Sequence, residues 1–166
     1  MGSPDRGTLR RFAPVGAFAA LYAAIGCLLR TVLWFLFGSP AGVGATALPA
    51  LLAGGLANDI IVASCLFAPL ALYTALVTDR WYGSAFNRRL LTAGSWLSVF
   101  ALVFFAVVEV FFFQEFDARF NLVAFDYLAY PTEVAGDVWQ EYPVVRVAIA
   151  AAAGATNAVG WVVPRI

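Results

Sequence analysis

Three stretches of this chain are apolar over the length of a membrane crossing, and each carries a single charge. Val15 to Phe37 holds only Arg30, Asn58 to Val77 only Asp59, and Leu90 to Phe113 only Glu109. A hydrocarbon core about 30 Å thick takes about 20 helical residues, each rising about 1.5 Å. Backbone in lipid must satisfy its own N–H and C=O groups, so runs of this length become helices. A fourth run, 147–163, is shorter and rich in Ala and Gly. Composition agrees, with 63% hydrophobic and 12% charged residues, where soluble domains carry about 25% charge. The fold class expected is an all-α integral membrane protein with about four transmembrane helices and short interfacial helices on its outer face.

The same numbers exclude other classes. A net charge of zero argues against a nucleic-acid partner. The chain has no His, and its two cysteines, Cys27 and Cys65, lie inside apolar runs. No Cys/His metal site is therefore expected, and no metal ligand or cofactor is assigned to this chain. A soluble catalyst is excluded by composition, and no catalytic residue is assigned.

Charge placement sets the expected topology. Spans at 15–37, 58–77, 90–113 and 147–163 put Arg6, Arg10, Arg11, Arg80, Arg88, Arg89 and Arg165 on one side. The positive-inside rule makes that side cytoplasmic. Residues 1–14 then form a cytoplasmic tail and 15–166 a multi-pass membrane domain. Outer segments fall at 38–57 and 114–146. Residues 41–57 hold four glycines and Pro49, which reads as an interfacial or re-entrant piece on the outer face.

On this topology Arg30, Asp59 and Glu109 reach the same depth on three helices. Charges within a span cost about 2.5–3.5 kcal/mol each on insertion scales, and they pair or face a wet cavity. Arg30 is expected to pair with Asp59, Glu109 or both. In the last span Ala150, Gly154, Gly160 and Asn157 suit packing against a neighbouring helix.

The segment 120–143, FNLVAFDYLAYPTEVAGDVWQEYP, is acidic and tyrosine-rich. Apolar residues at helical spacing on either side of Pro131 describe two short amphipathic helices on the outer surface. The ordered set Arg119-Phe120-Asn121, Asp126-Tyr127-Leu128, Tyr130, Glu133-Val134 and Tyr142-Pro143 resembles a stretch in the membrane domain of lipoteichoic acid synthase-like proteins. These are sulfatase-superfamily phosphoglycerol or phosphoethanolamine transferases. Gly55-Leu56-Ala57-Asn58-Asp59 is similar to the opening of that family's second helix. Asp137 and Glu141 depart from the family pattern, which has Asn and Ser there.

The resemblance implies about five membrane helices followed by an extracytoplasmic domain of the sulfatase fold, with a Thr nucleophile and a divalent metal. Neither that domain nor a fifth helix is expected within residues 1–166. The chain alone is then expected to have no transferase activity. It would be a membrane anchor whose partners are membrane lipids and the missing domain or helix. Arg119 and Arg146 are candidates for a lipid phosphate, and Tyr127 and Tyr130 for a headgroup. Asn121, Asp126 and Glu133 complete the candidate lipid or domain-docking set. Two other readings compete: a stand-alone membrane scaffold or regulator, and a transporter fragment with Arg30, Asp59 and Glu109 along a path.

Overall fold

The computed structural model describes residues 6–119, 136 and 138–162, with side chains described over 11–119, 136 and 138–160. The α-helices with described bounds are, in order, α1 (Arg6–Leu33), α2 (Leu48–Leu76), α3 (Asp79–Tyr82), α4 (Ala85–Phe116) and α5 (Val144–Val162). Among the described residues there is no strand. Three helical stretches, Arg11–Gly38, Ala45–Leu76 and Ala85–Phe116, are long and apolar enough to cross a membrane. α5 covers the fourth expected stretch, 147–163, as far as Val162, and its described apolar part, Val144–Gly160, is shorter than the other three.

The helices begin earlier than hydropathy alone suggests. α1 starts at Arg6, so residues 6–14, expected as a tail, are helical. Arg and Leu are good helix formers, and helix geometry need not stop where the apolar run stops. Pro14 sits inside α1, where it removes one hydrogen bond, to the carbonyl of Arg10.

The larger correction concerns 41–57. Residues 48–57 are not an interfacial or re-entrant piece but the first turns of α2, which runs unbroken for 29 residues. Pro49 occupies the first turn of that helix, where its missing N–H would have had no intrahelical acceptor. The reversal from α1 to α2 is made upstream, by a π turn at Trp34–Gly38 and a left-handed Gly42 at φ 87°. Trp34 donates its indole N–H to the carbonyl of Val43 at 3.2 Å.

At the opposite end α2, α3 and α4 are joined by a compact polar knot. Ser84 caps α4 by accepting from the backbone N–H of Asn87 at 3.1 Å. The Asn87 side chain, fully buried, donates to the Tyr82 carbonyl at 2.9 Å and accepts from the Tyr73 hydroxyl. Trp81 donates to that same hydroxyl at 3.2 Å. Arg11 ties α1 into the knot through Asp79 at 3.0 Å, with its guanidinium 5.2 Å from the centre of the Tyr82 ring. Replacing Asn87 by Leu removes the acceptor of the Tyr73 O–H and the donor to the Tyr82 carbonyl, at about 1–3 kcal/mol for each group left unsatisfied. The expected result is a clear drop in melting temperature in detergent, and an unchanged melt would show that the knot is dispensable.

α1 lies between α2 and α4, and α5 packs on α4. α2 runs antiparallel to α1, with Arg30 beside Asp59 at one end and Arg11 beside Asp79 at the other. α4 runs parallel to α1, since Phe37 meets Phe113 (4.8 Å between rings) while Tyr82, just before α4, reaches Arg11. Val99, Ala155 and Val159 form the small apolar core, closed by Phe18, Leu21 and Trp96. Trp96 also donates to the Thr156 hydroxyl at 3.0 Å across the α4–α5 contact.

Polarity is arranged inside out. The largest fully buried side chains are Asn87 and Thr74, while Leu28, Ile61, Phe35 and Leu76 each keep more than half their surface exposed. This suits a surrounding of lipid, where apolar side chains need no cover and polar ones need partners. On α5 the buried row is Ala151, Ala155 and Val159. The row expected to pack, Ala150, Gly154, Asn157 and Gly160, is exposed, because the contact with α4 falls one residue further along the helix.

Candidate functional site

The charges inside the apolar helices are brought together by pairs of residues four apart. On α1 Gly26 precedes Arg30 by one turn, and on α2 Gly55 precedes Asp59 by one turn. Because the helices are antiparallel, each charged side chain lies over the other helix's glycine. Arg30 donates through both terminal nitrogens to the two Asp59 oxygens, each at 2.6 Å. The side chains of Arg30 and Asp59 are only 10% and 5% exposed. This is the bidentate fork geometry that a guanidinium and a carboxylate prefer.

The glycines are required by space. A Cβ on Gly55 would lie 2.0 Å from Arg30 Nε, and one on Gly26 would lie 2.5 Å from Asp59 Oδ2. The missing side chains are therefore the cavity that the ion pair fills. The sequence reading placed Arg30 and Asp59 correctly as a possible pair but missed both glycines. Their i, i+4 spacing from the charges was the available signal.

Glu109 does not pair with Arg30. It accepts from Nε of Arg119 at 2.5 Å, and Arg119 stands just after the left-handed Asp117 that ends α4. Arg30, Asp59 and Glu109, together with Arg119, thus form two separate pairs. Arg119, expected as a lipid-phosphate candidate, is about half exposed while Glu109 is nearly buried. Tyr22, which sequence reasoning did not single out, stands in the same region and packs edge-on against Phe67, 6.4 Å between ring centres.

Asp59, Glu109, Arg119 and Tyr22 all line one end of a groove of about 960 Å³. α1 forms its floor, and α2 and α4 form its walls. Its middle is apolar, through Phe18, Leu66, Phe67, Leu102 and Phe105, and its far end carries Tyr73, Asn87 and Arg88. The other phosphate candidate, Arg146, is exposed on α5 and does not line this groove.

Five candidates of the outer set, Asn121, Asp126, Tyr127, Tyr130 and Glu133, lie outside the described residues. The flanking parts of the 114–146 segment are described. Tyr142 packs its ring 5.2 Å from that of Phe111 on α4, and Pro143 starts the turn into α5. Among the described residues there is no group of three or more His, Cys, Asp or Glu able to hold a metal.

No family model matches the chain, and neither the curated proteins nor the solved structures give a match.

Proposed function

We propose that this chain is the membrane-anchor domain of a lipoteichoic acid synthase-like transferase. It would sit in a bacterial inner membrane with its N-terminus cytoplasmic. Its outer end would position an extracytoplasmic catalytic domain that moves a phosphoglycerol-type group from a lipid, and the divalent metal would belong to that domain. One observation carries the reading. Asp59, in the stretch similar to the family's second helix, and Arg119, in the Arg-Phe-Asn motif, are far apart in sequence yet line the same end of one groove. Both are held there by ion pairs. Arg119, two residues past the left-handed Asp117 that ends α4, is held against Glu109 on that helix.

The groove-lining charges of this end, Asp59, Glu109 and Arg119, each take part in an ion pair, which suits an architectural role. A transport path would distribute polar groups along its length. A second reading, a stand-alone scaffold, is favoured by the open row of Ala150, Gly154 and Asn157 on α5, a surface of small residues with one amide.

An antibody against residues 114–146, used on native membranes, separates the two. The anchor reading expects a polypeptide several times longer than 166 residues, whose immunoprecipitate transfers a phosphoglycerol-type group from lipid when supplied with a divalent metal. A polypeptide of about this length, with no transfer activity in the precipitate, would leave the scaffold reading.

A further inference from the structure

The two ends of the groove differ in charge, and that difference points to a ligand. At the Asp59 end the acids lining the groove, Asp59 and Glu109, are paired with Arg30 and Arg119, and Glu115 and Asp117 at the same end of α4 add two exposed acids. At the other end the described side chains include one acid, Asp79, and four arginines, Arg11, Arg80, Arg88 and Arg89, and Asp79 is already bonded to Arg11. Arg80, Arg88 and Arg89 take part in no ion pair among the described residues. Of these three only Arg88 lines the groove. Below Arg88 the wall carries the hydroxyls of Thr92, Ser95 and Ser98 and then becomes apolar.

From Arg88 to Glu109 the α4 wall runs about 32 Å at about 1.5 Å per residue, close to the thickness of a hydrocarbon core. The complement of such a groove is a molecule anionic at one end and hydrocarbon beyond it. Basic pockets between membrane helices bind anionic lipid headgroups on this principle. We infer that the groove between α2 and α4 holds an anionic phospholipid from the leaflet on the Arg88 side, its phosphate at Arg88 and an acyl chain along α1. This site lies at the opposite end from the proposed docking surface and does not depend on the anchor reading.

Gly94 supplies a clean probe. It lines the groove, and a Cβ there meets nothing within 4 Å, so Gly94→Leu starts a side chain in open space at the groove and improves helix propensity. The full chain is purified in mild detergent, and retained phosphatidylglycerol and phosphatidylcholine are compared by native mass spectrometry. The expected result is a preference of about tenfold for phosphatidylglycerol, brought near parity by Arg88→Gln. Arg89→Gln removes the same charge from a residue outside the groove and is expected to leave the preference in place. Gly94→Leu is expected to reduce retention of both lipids several-fold while the chain stays folded.

Equal effects of Arg88→Gln and Arg89→Gln would overturn the site in favour of diffuse surface charge. Unchanged retention in Gly94→Leu would overturn the acyl-chain placement. Competition by glycerol phosphate as effective as by the lipid would make it a free-phosphate site. A dimer mass that Gly94→Leu converts to monomer would mean that the groove takes a second copy.

Discussion

Asp59→Ala is expected to unfold much of the protein, whereas removing Arg30 and Asp59 together is expected to be tolerated. The single change leaves a guanidinium between two apolar helices with no acceptor. Breaking a buried pair in this way costs about 3–5 kcal/mol, a large share of a total stability of about 5–15 kcal/mol. The pair itself contributes little net stability, because desolvation offsets most of its Coulomb attraction. Arg30→Leu combined with Asp59→Leu therefore keeps the packing and discards the cost. Denaturation in detergent micelles distinguishes these cases. If the double variant is as unstable as the single one, the pair is not an independent unit, and both side chains have other partners that matter more.

The second large effect separates two adjacent glycines. Gly55→Ala is expected to destabilise by an amount similar to breaking the ion pair, about 3–5 kcal/mol, because its Cβ would sit 2.0 Å from Arg30 Nε and 2.4 Å from Cζ. The guanidinium cannot swing aside while both its terminal nitrogens are bonded to Asp59. At Gly54 a Cβ meets nothing within 4 Å, so Gly54→Ala is expected to stabilise the helix by up to about 1 kcal/mol through propensity alone. The two melting temperatures should move in opposite directions. Shifts of the same sign would mean that the niche around Arg30 is not built from Gly55.

These two glycines also show where sequence reading stopped. Hydropathy located the three long apolar helices, because lipid imposes length and polarity on any crossing segment. It could not tell a glycine that breaks a helix from one that lets a neighbour approach. Gly54, Gly55 and Pro49 therefore read as an irregular outer piece. Pro49 is in fact a first-turn residue, and Gly55 answers to Arg30 on another helix, a long-range cause with no local signature. The same limit applies to Glu109, whose partner Arg119 lies across a turn set by left-handed Asp117. The buried Asn87 escaped notice because a lone Asn near a helix start reads as a surface residue. Its donor and acceptor come from Tyr73 and Tyr82 respectively, whose positions only the folded loop decides.

The claim on which all of this depends is that the long helices cross a bilayer, with the Arg30–Asp59 end and the Arg88 end on opposite sides. Ser39, after α1, and Thr78, after α2, are exposed, and neither side chain makes a hydrogen bond among the described residues. Single cysteines at these two positions, in a chain with Cys27 and Cys65 replaced by Ala, can be labelled in sealed vesicles with a membrane-impermeant maleimide. The account predicts that one of the two reacts from outside and the other only after the vesicles are opened. Labelling of both from the same side would contradict it.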